Sequence, residues 1–242
     1  ARRLTAAEAS AAIAGAFDAG ASEVYVNDSH GGFRNMPPDL LDARAQAIQG
    51  KPRYLSMVAG VELGVDGLVC IGYHARSKGR GILAHTINSF AFARVRFNGQ
   101  ELGELGIYGL LAGQYGVPVI AASGDDAFIA EYRALLPATR FIEVKRATGF
   151  GSGTSLSPEA ACAAIRAGVA EAVPQARATA PLAMAGPIAV ELQTQTPALA
   201  DLFCQWPTLA RTGGDALRFD APDVESAVRM LNCLSAMSSV LR

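Results

Sequence analysis

The chain has 242 residues and a formal net charge of -1, with 50% hydrophobic and 18% charged residues. This composition is typical of a packed globular protein and excludes a disordered chain. The chain has no dense run of Lys and Arg of the kind that indicates nucleic acid as a partner. It also has no apolar run of the roughly 20 residues that cross a bilayer. Its four cysteines form no C-x-x-C pair. With no signal peptide visible, we predict a cytoplasmic protein without a nucleic-acid or membrane partner.

The sequence of the first third of the chain predicts a helix, a strand, a second helix and a second strand. Thr5 and Glu8 have the spacing of a capping box, and Gly20 is placed to end the helix. Strands are predicted at 23–27 and 67–73, with a helix near 56–65 between them. Because a right-handed βαβ crossover needs a strand before its helix, we expect the natural protein to have an N-terminal strand that this sequence lacks.

The remaining chain alternates helices and strands. This alternation predicts a three-layer α/β fold with a mostly parallel sheet and helices on both faces. Proline and glycine residues between 174 and 187 mark a boundary, which divides the chain into an α/β metal-binding catalytic domain (1–180) and a smaller α+β C-terminal domain (181–242). The predicted elements are helices at 104–115, 126–136 and from Ser157-Pro158 onward, strands at 118–122, 141–144, 188–192 and 216–219, and a last helix at 224–241.

All three histidines of the chain follow predicted strands. His30 and His74 come directly after two of them, and His85 lies in the loop beyond the second. In an open α/β sheet, functional groups collect beyond the carboxyl ends of the strands, so His30 and His74 are expected to converge. Histidine is the commonest metal ligand and a general acid or base near neutral pH. The spacing itself matches no compact metal signature such as H-E-x-x-H.

Two acidic positions have both a structural and a functional interpretation. Glu104 is either a first-turn carboxylate favoured by the helix dipole or an oxygen ligand that completes an imidazole and carboxylate set for zinc. Asp125 and Asp126 either cap the following helix or form an acidic pair behind the ligands, and we favour the cap.

Two glycine-containing loops are candidate binding sites. The first has two interpretations, and the second is not supported by its sequence. The loop from Arg76 to Gly81 is basic, and it is either a solvated turn or a site for a substrate carboxylate. The stretch from Gly149 to Gly153 lacks the lysine and the following Ser or Thr of a phosphate-binding loop, so nucleotide binding is not indicated.

Seven short motifs occur in an order that resembles the zinc-dependent D-aminopeptidase family. The resemblance extends from the first helix to about Pro158 and is weaker beyond it. The motifs, from residue 24 to residue 126, read VYVNDSH, LSMV, GYHA, AHT, GELG, GVPV and GDD.

The resemblance implies a set of roles for individual residues. His30, His74 and Glu104 correspond to zinc ligands, and His85 corresponds to the group proposed as catalytic. The family also uses an Asp-x-Glu pair at the end of its first strand, and the N-terminal segment that would carry this pair is missing here. With that pair, the complete protein is expected to hold two Zn²⁺ ions per subunit. The resemblance also implies a homo-oligomer of closed rings, with a ring-based decamer as one form to test.

These expectations indicate an aminopeptidase that removes N-terminal D-amino acids from short peptides such as D-Ala-containing dipeptides. Zinc would polarise the scissile carbonyl and make water a nucleophile near neutral pH. His85 would then stabilise the oxyanion, donate a proton to the leaving amine or act as a nucleophile. Alternative functions are another metal-dependent amidase, a phosphoesterase, or a non-catalytic binding or assembly protein on the same fold.

Overall fold

The computed structural model describes residues 1–242, which form six α-helices and eleven strands in three sheets. The α-helices are α1 (Arg2–Asp18), α2 (Glu104–Gln114), α3 (Asp126–Tyr132), α4 (Pro158–Ala172), α5 (Pro197–Phe203) and α6 (Val224–Met237). The strands are β1 (Tyr25–Asn27), β2 (Gln46–Ile48), β3 (Leu68–Cys70), β4 (Phe92–Phe97), β5 (Gln100–Glu101), β6 (Val119–Asp125), β7 (Arg140–Gly149), β8 (Ser152–Ser155), β9 (Ile188–Thr194), β10 (Ala210–Arg211) and β11 (Ala216–Ala221). Short 3-10 helices cover Pro38–Leu40, Ser56–Val58, Val61–Leu63, Val173–Ala178 and Ser238–Leu241.

The predicted α/β fold class is confirmed. Strands β3, β6 and β7 are parallel neighbours, with β8 antiparallel at the edge. Because side chains alternate across a strand, β6 presents Ile120 to the core beneath α1 and α4, and Val119 to the core beneath α2 and α3. The sheet therefore carries helices on both faces. Strands β1 and β2 pair in parallel as a separate two-stranded sheet.

Helix α2 is buried on all sides. Every residue from Glu104 to Ala112 is buried, because α2 lies between the parallel sheet and a second hydrophobic core. This burial explains why α2 is rich in Leu, Gly and Ala and has no polar face, as expected of a helix inside a core. The first-turn residue Glu104 is consequently held inside the protein.

The second core lies against a five-stranded antiparallel sheet of order β10-β11-β9-β4-β5. Helices α5 and α6 pack against it. Strand β4, which precedes residue 180 in sequence, pairs with β9 of the C-terminal part, and β5 pairs with β4 at the edge of the sheet. The division into domains 1–180 and 181–242 stays a prediction.

None of the helices combines the length and the apolar character that crossing a membrane requires.

Two local predictions were wrong. The first helix begins at Arg2 instead of after Thr5, and the Thr5 hydroxyl donates to the Ala1 carbonyl instead of capping the helix. The segment 56–65 forms two 3-10 turns instead of one helix. Gly60 and Gly64 adopt φ values of 116° and 78°, which interrupt a right-handed helix.

The replacement Gly113→Ala is expected to lower the free energy of unfolding by about 1–3 kcal/mol. A Cβ atom at Gly113 would lie 1.7 Å from the carbonyl oxygen of Leu182, a backbone atom that cannot rotate away. The matched control is Gly109→Ala on the same helix, where the added Cβ would lie 3.3 Å from the Val119 side chain. Both variants gain the same helix propensity. Urea denaturation showing equal stability for the two would contradict this packing argument.

Candidate metal centre

His74 follows β3 in a turn that β6 holds in place. Gly72, at φ 73°, redirects the chain beyond Cys70. The Gly72 amide donates to the Ser123 hydroxyl at 2.9 Å, and the Tyr73 amide donates to the Ser123 carbonyl at 2.9 Å. Ser123 of β6 therefore fixes the position of the turn that presents His74.

His85 lies in a loop between Leu83 and Ile87. Both of these residues have a left-handed backbone conformation, although neither is a glycine. Leu83 has φ 54° and Ile87 has φ 59°, and the latter is a strained conformation for a β-branched residue. The Ser77 amide donates to the Thr86 hydroxyl at 3.0 Å, which ties this loop to the chain after His74. Such strain persists only where the surrounding contacts hold it.

Glu104 accepts a hydrogen bond from this loop, and its carboxylate also faces His74. It occupies the first turn of α2 and is 5% exposed. Its Oε1 atom accepts a hydrogen bond from the Ile87 amide at 2.7 Å. The helix N-terminus also favours its negative charge.

The structure brings His74, His85 and Glu104 together. The distance from His74 Nε2 to Glu104 Oε2 is 3.4 Å, and the distance from His85 Nε2 to Glu104 Oε1 is 3.6 Å. The two imidazole rings are stacked, with centroids 4.0 Å apart and planes inclined by 21°. One ligand atom from each of the three residues lies within 4.8 Å of the others, as a shared metal ion requires.

Backbone carbonyls orient both imidazoles. His74 Nδ1 lies 3.0 Å from the Ala75 carbonyl oxygen, and His85 Nδ1 lies 2.7 Å from that of Leu83. A carbonyl only accepts, so each Nδ1 carries a proton and donates it. In the neutral imidazole, the lone pair is then on Nε2 and faces Glu104, which is the usual arrangement of histidine ligands.

The pKa shifts of His74 and Glu104 show that each residue favours the charged form of the other. Burial opposes the charged form of His74, but Glu104 outweighs it and raises the pKa of His74, with help from the Ala75 carbonyl and Asp125. Burial likewise opposes the charge of Glu104, but His74, His85 and the Ile87 amide lower its pKa. Glu104 is thus a buried carboxylate.

The donor set fits a zinc ion. The two N to O distances exceed the 2.7–3.2 Å of a good N–H···O hydrogen bond. Two ligand atoms about 2.0–2.1 Å from one tetrahedral zinc ion are about 3.4 Å apart. Two imidazole nitrogens and a carboxylate oxygen are also ligands that zinc prefers.

His30 is not part of this group of three. It is exposed in the loop after β1, and its backbone amide lies 3.5 Å from Asp28 Oδ1. Asp28 is 1% exposed and also accepts from the Met36 amide at 2.7 Å, which shapes the loop. A role for His30 as a ligand stays a prediction.

Arg76, in the basic loop after His74, is paired with acidic neighbours. Arg76 forms ion pairs with Glu101 at 3.2 Å and with Glu131 at 2.9 Å. Arg94 also pairs with Glu101, at 2.8 Å. These contacts favour the interpretation of Arg76 as a structural residue over that of a free site for a substrate carboxylate.

Asp125 and Asp126 hold backbone amides. Asp125 caps α3, since its Oδ1 accepts from the Phe128 amide at 2.8 Å, as predicted. Its Oδ2 also accepts from the Ile82 amide at 2.6 Å, in the loop that carries His85. Asp126 accepts from the Ala147 amide at 2.8 Å. The cap has a local sequence signal, whereas the contact with Ile82 spans 43 residues and has none.

Comparisons with known proteins indicate one family. Residues 1–233 match the model of the D-aminopeptidase family, peptidase M55. A D-aminopeptidase from Bacillus subtilis (strain 168) is 35% identical over 157 residues, which are 65% of this chain and 57% of that protein. The chain thus spans little more than half the length of this curated relative.

A solved structure extends the likeness to the whole fold. It is the Zn-dependent D-aminopeptidase DppA from Bacillus subtilis, described as a self-compartmentalizing protease, and it superposes with a TM-score of 0.94 at 28% sequence identity. The superposition covers 98% of this chain and 87% of that chain. Because the family model matches nearly the entire sequence and the predicted resemblance is confirmed, this chain belongs to the D-aminopeptidase family, peptidase M55.

Proposed function

We propose that this protein is a zinc-dependent D-aminopeptidase that removes N-terminal D-amino acids from short peptides, such as D-Ala-containing dipeptides. The observation that carries the proposal is the convergence of two imidazole Nε2 atoms on the buried carboxylate of Glu104. Membership of the D-aminopeptidase family and the likeness to a zinc-dependent relative support the same chemistry.

Of the three groups that could hold a metal ion, His74 and Glu104 hold zinc in this proposal, and His85 acts on the substrate. The side chain of His85 is 25% exposed and that of His74 is 18% exposed, so His85 is the more accessible imidazole. A zinc ion at this site would polarise the scissile carbonyl and make water a nucleophile near neutral pH. As an imidazolium, His85 would donate a hydrogen bond from Nε2 to the developing oxyanion or transfer that proton to the leaving amine. As a neutral imidazole, it would attack the carbonyl with the Nε2 lone pair.

Four finer features belong to the same proposal. Two zinc ions per subunit would require ligands in addition to these residues, and we propose His30 as one of them. A short peptide is the substrate, and a homo-oligomer is the functional form, with a ring-based decamer as the assembly to test by mass measurement in solution. We also propose a cytoplasmic location.

Hydrolysis of matched dipeptides by the full-length, zinc-loaded protein tests this function. We expect release of D-Ala from D-Ala-D-Ala, little release from L-Ala-L-Ala, and none from N-acetyl-D-Ala-D-Ala, which lacks the free amine. Hydrolysis of the acetylated peptide would indicate an amidase, and hydrolysis of p-nitrophenyl phosphate alone would indicate a phosphoesterase. Bound zinc without hydrolysis of any of these compounds would favour a binding or assembly protein.

A further inference from the structure

The loop that carries His85 depends on contacts from outside it. At its start, the Leu83 amide donates to the Phe150 carbonyl at 2.8 Å, and the Leu83 carbonyl accepts from His85 Nδ1 at 2.7 Å. The side chain of Leu83 is 57% exposed, so its burial does not hold the left-handed backbone in place. The hydrogen bonds of neighbouring residues must therefore stabilise this conformation.

Asp125 provides one of these hydrogen bonds from inside the protein. It is 2% exposed, at the end of β6, where the register with β7 shifts between Gly124 and Asp125. Such an irregularity redirects a side chain. Its two oxygens accept from two separate segments, Oδ1 from the Phe128 amide and Oδ2 from the Ile82 amide at 2.6 Å.

The close approach of the loop to Asp125 also requires a glycine. A Cβ atom at Gly81 would lie 3.1 Å from Asp125 Oδ2 and 3.0 Å from the Ala75 Cβ. Only a residue without a side chain brings the Ile82 amide onto the carboxylate without a shift of the neighbours. The close approach of the loop to Asp125 therefore depends on Gly81, which lies 44 positions earlier in the chain.

We propose that Asp125 is a positioning residue for His85, rather than only the cap of α3. It holds the Ile82 amide, so that the Leu83 carbonyl stays where it accepts from His85 Nδ1 and Nε2 stays directed at Glu104. In this role Asp125 acts through the backbone amides from which both of its oxygens accept. The catalytic consequence rests on the proposed function, whereas the loop geometry does not.

The test uses Asp125→Ser and Gly81→Ala in the full-length protein. Serine keeps the cap of α3, which a serine oxygen serves well, but it cannot also reach Ile82. Gly81→Ala leaves Asp125 intact and displaces the loop. In both variants we expect amide exchange of residues 82–87 to be faster by about tenfold or more, the scale of losing a hydrogen bond to a charged group. We also expect kcat to fall by about 10- to 100-fold, with KM and zinc content nearly unchanged.

Ser157→Ala is the matched control. It removes the cap of α4, where the Ser157 hydroxyl accepts from the Ala160 amide at 3.2 Å, on the opposite face of the sheet. This variant should lower Tm while leaving kcat and the exchange of residues 82–87 unchanged.

Each result decides the proposal. Unchanged exchange of residues 82–87, or wild-type kcat despite faster exchange, would overturn it, as would loss of zinc as the main effect. If the wild-type protein has no peptidase activity, the proposed function fails, and the exchange data still decide whether Asp125 positions the loop.

Discussion

Glu104→Gln is expected to abolish stable zinc binding and to lower kcat/KM by at least about 10³-fold. The amide keeps the shape of the side chain and an oxygen for the Ile87 amide, but it removes the charge that faces both imidazoles. Loss of metal polarisation costs several kcal/mol of transition-state stabilisation, and about 4 kcal/mol corresponds to 10³-fold in rate. Metal analysis after dialysis and kinetics on D-Ala-D-Ala measure the two effects.

Glu159→Gln is the matched control for Glu104→Gln. Glu159 is also a first-turn glutamate of a helix, but it is exposed on α4. Its replacement removes the same charge from the first turn of a helix, so it isolates the helix-dipole effect of a few tenths of a kcal/mol. A Glu104→Gln protein that keeps stoichiometric zinc and wild-type activity would exclude Glu104 as a ligand.

His85→Ala is expected to lower kcat by about 10²-fold or more while zinc content stays nearly unchanged. This is the usual scale for losing a positioned acid, base or oxyanion donor. His30→Ala provides the contrast, because we expect it to lower zinc content. Loss of zinc in His85→Ala would instead identify His85 as a ligand, and full activity would exclude it from the mechanism.

His85→Gln separates the possible roles of His85. The glutamine amide donates a hydrogen bond but neither transfers a proton nor acts as a strong nucleophile at neutral pH. Partial recovery of kcat relative to His85→Ala would favour oxyanion stabilisation. No recovery would favour proton transfer or nucleophilic attack.

Several helices were predictable because their signals are local. Ser157 followed by Pro158 begins α4, and Asp125 caps α3 through an amide only three residues away. The segment 56–65 failed both because Gly60 and Gly64 interrupt a helix and because a contact from a distant strand takes its place. There the Asn27 side chain, from a distant strand, donates to the Ala59 carbonyl at 2.7 Å and satisfies a group that a helix would have used itself.

By itself, the sequence determined the α/β class, the family and the types of residue that follow each strand. Periodicity, caps and motif order depend on neighbours along the chain, so they can be recognised without coordinates. Only the tertiary structure decided that His74 and His85 stack on one another with both Nε2 atoms facing one carboxylate, and that His30 lies outside that group. It alone also joined β4 to β9 and Asp125 to Ile82. These contacts connect distant segments, and their distances depend on how the layers pack, which no local pattern encodes.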